Sequence, residues 1–399
     1  MSTNLVPPVK VLDMSERTES FPALSEGSRA ALVRLLVHGP ASRADLARRL
    51  RLSPASLTRI VRTLEDSGLV VESETTVPQR MGRPSQAMEV NVDAVHLVGI
   101  KLLAGEINLV RTDMRSTVLG HRTIPLQTVP LDPAIDRITE AILAEVAVDP
   151  AVGAVGISLA GPVDPSSDMV THSPFLGWED VPLARLVSER TGLPTVIEND
   201  VRALTAAEHW FGAAAGATDF VLVTIGAGIG CGVVIGDRLV DGNTGGAGQI
   251  GHLPITPSGP LCERGHRGCA RSYLASSAMV GQASMALHRP DLTYAELVSL
   301  AHQGERVASR VVRDAGYALG TLIGLVTAIT APSKVIISGE GVTMVPLVMD
   351  VVQERASEVE HWAVPDVPIE IAEFGFVEWA RGAAVIALQQ LLEAAISPA

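Results

Sequence analysis

The side chains best suited to chemistry fall into two groups of opposite character. The first is basic: residues 28–85 hold ten Arg against five acidic residues (Asp45, Glu65, Asp66, Glu72 and Glu74), a local +5 in a chain of net −13. Guanidinium groups pair with phosphates, and short hydroxyl side chains among them reach base edges. Ser56, Thr58, Arg59 and Arg62 recur along one segment, and Arg80 and Arg83 flank Gly82 further on. The second group is the glycine run Gly226-Ala227-Gly228-Ile229-Gly230-Cys231-Gly232. Absent side chains let backbone N–H groups approach phosphate oxygens, and the same run equally suits a tight hairpin that needs positive φ. Both readings stay open at this level.

The elements that must carry these groups follow from pattern. In the basic part, Leu32, Leu35 and Leu36 share a helical face that ends at Gly39-Pro40. Ser42 caps a second helix that buries Leu46 and Leu50, and Ser53 caps a third with Pro54 in its first turn. Leu57, Ile60, Val61 and Leu64 form the inner stripe of that third helix, so Ser56, Thr58, Arg59 and Arg62 face outward. Two short β-prone runs, at 69–71 and 87–91, flank the segment with Arg80 and Arg83. Three short helices and a basic hairpin describe a winged helix-turn-helix, with the third helix in the major groove and the wing arginines on the minor groove or backbone. A flexible tail is expected over 1–25 and the DNA-binding unit over 26–92.

The rest of the chain is acidic, carrying −18, and has a different grammar. Strands are expected at 96–103, 106–113, 118–124, 151–159 and 195–197, with helices at 133–148, 183–191 and 201–211. The chain then starts again, with strands at 220–225, 232–235, 238–240 and 335–338 and a helix-rich stretch at 295–330. This duplication predicts a two-lobed α/β domain over 93–399, its lobes at about 93–217 and 218–399, with a cleft between them. Hydrophobic residues at 47% against 19% charged exclude disorder over most of this length. Cys231, Cys262 and Cys269 are too few, and odd in number, for a disulfide framework. The apolar stretch 318–332 falls short of a membrane span, and no basic-then-apolar leader precedes it. A cytoplasmic protein with no membrane partner is expected.

Five motifs in order then carry a resemblance. Gly156-Ile157-Ser158-Leu159-Ala160-Gly161-Pro162-Val163-Asp164, Glu198-Asn199-Asp200, the glycine run at 226–232, Gly248-Gln249-Ile250-Gly251-His252, and Cys262-Glu263-Arg264-Gly265-His266-Arg267-Gly268-Cys269 resemble the ROK family of repressors, open reading frames and sugar kinases. Gly82-Arg83-Pro84 and Asn91-Val92-Asp93-Ala94 resemble its DNA-binding branch. The resemblance implies an actin-like ATPase fold behind the winged helix-turn-helix. In the family's kinases an Asp beside the sugar is the general base, which implies Asp200 as its vestige here, paired with Asn199. Gln249, His252 and Arg271 stand where the family holds sugar hydroxyls, Gln249 and Arg271 each replacing a Glu.

The departures shape the functional expectation. Kinases of this kind carry Asp-x-Gly-Gly-Thr where this chain reads Lys101-Leu102-Leu103-Ala104-Gly105, so a cation replaces the carboxylate that positions Mg²⁺, and a bulky Leu replaces glycine. The family's zinc site uses one His and three Cys. His252, Cys262 and Cys269 match, Arg264 occupies the second Cys position, and His266 is an off-spacing substitute, so no metal and no other cofactor is expected. The expected function is a transcriptional regulator, a repressor of carbohydrate-related genes, that binds double-stranded operator DNA as a homodimer or homotetramer. It would sense a sugar or sugar-phosphate effector through Asn199, Asp200, Gln249, His252 and Arg271. The substitutions at 249 and 271 make that pocket about three units more positive than a neutral-sugar kinase, which favours an anionic effector. The competing readings are an active ATP-dependent sugar kinase with an appended DNA-binding unit, and a protein-docking module.

Overall fold

The computed structural model describes residues 21–77, 85–164, 169–242, 246–359 and 366–396. Three serines open the three N-terminal helices. Ser25 caps α1 (Glu26–His38), Ser42 caps α2 (Arg43–Arg49) after the two-residue strand β1 (Ala41–Ser42), and Ser53 caps α3 (Pro54–Asp66). Each hydroxyl accepts from the backbone N–H three residues on, a bond worth about 1 kcal/mol per cap. In α3, Leu57, Val61 and Leu64 are buried, Ile60 and Ser56 half-buried, and Thr58, Arg59 and Arg62 exposed. Strands β2 (Val70–Val77) and β3 (Ser85–Val90) pair antiparallel from Val70↔Val90 to Val77↔Ser85, and β1 joins the far side of β3. This is the expected winged helix-turn-helix. Arg80 and Arg83, expected at the wing tip, lie outside the described residues.

The two lobes repeat one another. The first contains β4 (His96–Leu102), β5 (Glu106–Thr112), β6 (Val118–Pro125), α4 (Leu131–Val148) and β7 (Val152–Leu159). A side sheet of β8 (Val163–Asp164), β9 (Met169–Ser173) and β10 (Trp178–Val181) follows, then α5 (Leu183–Thr191), β11 (Thr195–Asn199) and α6 (Asp200–Phe211). The second lobe contains β12 (Phe220–Ile225), β13 (Ile229–Ile235) and β14 (Arg238–Leu239), the helices α7 (Ala270–Leu274), α8 (Ser276–Leu287), α9 (Tyr294–His302) and α10 (Arg306–Thr330), and β15 (Val335–Ser338). After a 3₁₀ turn at Val342–Leu347 come α11 (Met349–Val359), β16 (Ile369–Ile371) and α12 (Phe376–Ala394). The sheets run β6-β5-β4-β7-β11 and β14-β13-β12-β15-β16. In each, an antiparallel three-strand meander continues into two parallel strands, so the duplication read from the strand and helix order is present strand for strand.

Helix α12 departs from the expected division of the lobes. It follows the second sheet in sequence but lies on the first. Glycines make that approach possible: a Cβ on Gly99 of β4 would overlap the Ala380 carbonyl, and one on Gly156 of β7 would overlap that of Ala383. From the other side, a Cβ on Gly382 would press on the Ala203 backbone of α6. The C-terminal half then enters a third core, where Leu388 and Leu392 bury with Leu24, Leu32, Leu35, Leu46 and Leu64 of the DNA-binding unit. Leu24 donates its N–H to the Ala395 carbonyl at 2.7 Å, and Arg29 pairs with Glu393 at 3.2 Å.

The apolar stretch expected at 318–332 is part of α10, whose 25 residues are long and apolar enough to cross a bilayer by length and composition. Two thirds of its apolar window is buried inside the protein, with Val312, Ala315, Leu319, Leu322 and Ile323 in the second lobe's core, which explains its composition as that of a core helix.

The glycine contacts generate a prediction. Gly156→Ala should destabilise the protein by about 3 kcal/mol, because the overlapped atoms are backbone and cannot swing away. Gly105→Ala, with open space around its Cβ position, should be close to neutral. Urea denaturation of the two variants separates them, and equal midpoints would refute the packing argument.

Candidate functional site

Between the lobes lies a cleft of about 450 Å³. Its walls hold Lys101 and Leu103 at the end of β4, Asn199 and Asp200 at the β11–α6 junction, the glycine turn before β13, the 247–252 loop, Arg271 on α7, Glu340 after β15, and Phe376 and Trp379 on α12. The expected effector residues Asn199, Asp200, Gln249, His252 and Arg271 are thus brought to one cavity, from segments far apart in sequence.

Local bonding defines what each can offer. Asn199 is the N-cap of α6: its Oδ1 accepts from the N–H groups of Val201 (3.0 Å) and Arg202 (3.3 Å), and its Nδ2 donates to the Gly161 carbonyl (3.1 Å). This amide holds the junction and keeps one N–H for a ligand. Asp200 Oδ1 accepts from the Val201 N–H at 2.9 Å, and its Oδ2 forms an ion pair with Lys101. Both partners are buried, Lys101 at 3% and Asp200 at 9% exposure, and the ammonium also lies 5.4 Å from the centre of the Trp379 ring. Behind this pair, buried Arg202 binds Glu198 at 3.0 Å, the Val240 carbonyl and Asp241, tying α6 to the residues that follow β14. Desolvation is the largest influence on Arg202 and acts to lower its pKa, but Glu198 and Asp241 outweigh it and hold the group above its ordinary range.

The opposite wall corrects the expected excess of positive charge. Arg271 Nε is ion-paired with Glu263, and Lys101 is neutralised by Asp200. Burial first, and the facing His266 next, push the His252 pKa below its ordinary value, so its imidazole is neutral at physiological pH. Among the described residues, the charged groups lining the cavity are two cations and two carboxylates. Residue types alone overstated the charge because the partners come from other segments.

The glycine run is also resolved. It forms the tight hairpin turn between β12 and β13, with Ile225 opposite Ile229, but none of Gly226, Gly228, Gly230 and Gly232 has positive φ. Gly230 and Gly232 lie inside β13, which begins earlier than expected, and their Cβ positions are filled by Val201 and Thr205 of α6. At Gly226 the space is taken by the Glu340 carboxylate. A negative group therefore sits against the turn that would have to receive phosphate. Glu340 was visible only as a residue between two glycines. Trp379 and Phe376 had no sequence signal, because nothing local marks them as cleft residues.

A second cluster adjoins the cleft. His252 Nδ1 lies 3.8 Å from Cys262 Sγ, 3.8 Å from Cys269 Sγ and 3.1 Å from His266 Nδ1. All four donor atoms fall within 4.8 Å of one another. The expectation of no metal set His266 aside as an off-spacing substitute, and the fold brings its Nδ1 beside the other three donors.

Comparisons with known proteins agree with this architecture. The ROK family profile matches residues 97–390 and the MarR family profile residues 24–76. The DNA-binding transcriptional repressor Mlc of Escherichia coli K12 is 29% identical over 353 residues, covering 84% of this chain and 86% of that protein. The xylose repressor of Bacillus subtilis 168 is 28% identical, covering 82% and 85%. Among solved structures, a ROK family transcriptional regulator described as a homolog of the E. coli Mlc protein superposes with TM-score 0.81 at 25% identity over 93% of this chain and 97% of that one. A ROK family glucokinase from Streptomyces griseus, solved with glucose and AMPPNP, superposes with TM-score 0.62 at 28% identity over 74% and 99%.

The buried pair generates a prediction. Lys101→Met should destabilise the protein by about 3–5 kcal/mol by leaving Asp200 unpaired, and adding Asp200→Asn should recover most of that loss. A double-mutant cycle in urea measures it. No recovery in the double variant would show that the pair is not coupled.

Proposed function

This chain belongs to the ROK family, and from that membership we propose a DNA-binding transcriptional repressor of carbohydrate-related genes whose two-lobed domain senses a sugar without phosphorylating it. The winged helix-turn-helix supplies DNA binding, and its relatives named above are repressors. The observation that carries the reading is the state of the cleft. The cavity is retained, but Lys101 occupies the carboxylate that would serve as base, and Glu340 occupies the turn that would cradle phosphate. Phosphoryl transfer depends on placing phosphate and Mg²⁺, and both placements are opposed here. Kinase activity is the runner-up reading, favoured only by the survival of Asp200 itself.

The balanced charge of the cleft supports a neutral sugar over a sugar phosphate. A phosphate would have to compete with Glu263 for Arg271 and with Asp200 for Lys101. Hydroxyl groups would instead bridge Asp200, the free N–H of Asn199, Gln249 and His252. Helix α12 supports a route from effector to DNA, since Phe376 and Trp379 line the cleft and Leu388 and Leu392 complete the core of the DNA-binding unit. A ligand that closes the lobes would tilt this helix and alter the setting of α1, shifting the population that grips the operator. Reading a few base pairs per α3 calls for a dimer on two half-sites one or two helical turns apart.

Two outcomes test the function. In mobility-shift assays Arg59→Ala should relax sequence preference at a cost of about 1–3 kcal/mol, while Arg83→Ala should weaken binding evenly and reduce the salt slope by about one. A protein with no salt-sensitive, sequence-dependent shift would sink the repressor reading. In a coupled assay, no common sugar should be phosphorylated with ATP, and calorimetry should show neutral sugars binding ahead of their phosphates. ATP-dependent turnover abolished by Asp200→Ala would establish the kinase instead.

A further inference from the structure

The carboxylate that fills the turn at Gly226 is anchored from both sides. Gly339 stands at φ +99°, and a Cβ there would overlap the Ile225 carbonyl at the end of β12. The Gly341 N–H donates to that same carbonyl at 2.9 Å, and the Gly341 carbonyl accepts from the Tyr294 hydroxyl at 2.7 Å. The backbone of Glu340 is thereby pinned at the turn. Its carboxylate lies in the space that a side chain at position 226 would take.

The cations of the cleft are committed elsewhere. Lys101 pairs with Asp200, and Arg271 pairs with Glu263, which stands outside the cavity lining. Arg271 does approach the turn, with Nη1 3.9 Å from the Gly228 Cβ position, but Glu263 holds its Nε. Among the described residues, Glu340 has no ion-pair partner, and it is exposed where it lines the cavity. The lining groups balance two against two. Once Glu263 is set against Arg271, one carboxylate is left over.

The position of that charge decides what it would meet. In phosphoryl transfer the hydroxyl beside the base must point at the incoming phosphate. A sugar seated on Asp200 would turn the same substituent towards Gly226, where Glu340 stands. That substituent faces two carboxylates, Asp200 and Glu340, and one cation, Lys101. A phosphate there meets an unpaired negative charge, a hydroxyl leaves it unmatched, and an ammonium group neutralises it.

We propose, resting on the sugar-sensing reading above, that the preferred effector is an amino sugar whose protonated amine pairs with Glu340. The amine stands on the carbon that a kinase would phosphorylate, so the seat of an anion has become the seat of a cation. An ammonium group offers three N–H donors and no acceptor, and its hydrogen bonds to a carboxylate are charge-assisted.

The test is calorimetry on the full-length protein. The probes are glucose, mannose and galactose, their 2-amino-2-deoxy and 6-amino-6-deoxy forms, and the N-acetylated derivatives of those amines. One amino sugar should bind about 10–100-fold more tightly than its hydroxyl parent at neutral pH. N-acetylation keeps the nitrogen and removes the charge, so it should abolish the gain, and this comparison needs no variant. Glu340→Gln should erase the ratio of amine to parent affinity. The ratio is taken within one protein, so a general loss of affinity does not imitate that result. A parent sugar that binds with no amine ahead of it, or a preference that survives Glu340→Gln, would overturn the proposal and leave sugar sensing standing. Binding of no sugar in the panel would overturn both.

Discussion

Helix α12 can reach the first sheet only where glycine stands in the strands beneath it. With Gly99 and Gly156 below it and Gly382 against α6, helix backbone meets strand and helix backbone at a distance no side chain permits. Everything that joins the protein's parts depends on that approach. The same helix starts as a wall of the cleft, continues as the cover of the first sheet, and ends inside the core of the DNA-binding unit. A larger residue at any of the three positions would lift the helix and loosen all three at once. Close packing of backbone against backbone also makes α12 stiff, since no flexible side chain lies between the surfaces to absorb a displacement.

Charge in the cleft follows a similar economy. Lys101 and Asp200 are both nearly inaccessible, and each would be costly there alone. Together they turn the position of a catalytic carboxylate into a neutral, hydrogen-bonded floor. Glu340 against Gly226 closes the phosphate turn from the other lobe. The two-lobed architecture keeps its cavity, with Lys101 and Asp200 paired and the turn at Gly226 occupied. On the proposed reading, a sensor needs only differential binding between two lobe arrangements, and this cleft offers surfaces for that.

The loop at 246–271 is where the two themes meet. It has little regular structure, yet it presents Gln249, His252 and Arg271 to the cavity. The His–Cys cluster gathers its second half, from His252 to Cys269. A long loop without such ties would pay its ordering entropy at each binding event. The clustering of His252 with two cysteines and a second imidazole is such a tie.

Much of this fold was legible from residue order alone. Serine caps at 42 and 53, the stop at Gly39-Pro40, the amphipathic α3 and the repeated strand–helix grammar are local signals, decided within a few residues, and they recur in the structure at nearly the same bounds. The motif order also named the cleft residues that do converge. The side sheet at 163–181, α12 and the partners of the cleft charges were not legible. Lys101 and Asp200 stand 99 positions apart, and each was read for what its type would do alone. Residue type states a charge, but only the folded chain decides which opposite charge meets it in a low-dielectric interior. That is why the sequence settled the family and the elements, while the pairing of the cleft charges and the occupied turn at Gly226 were decided by tertiary structure.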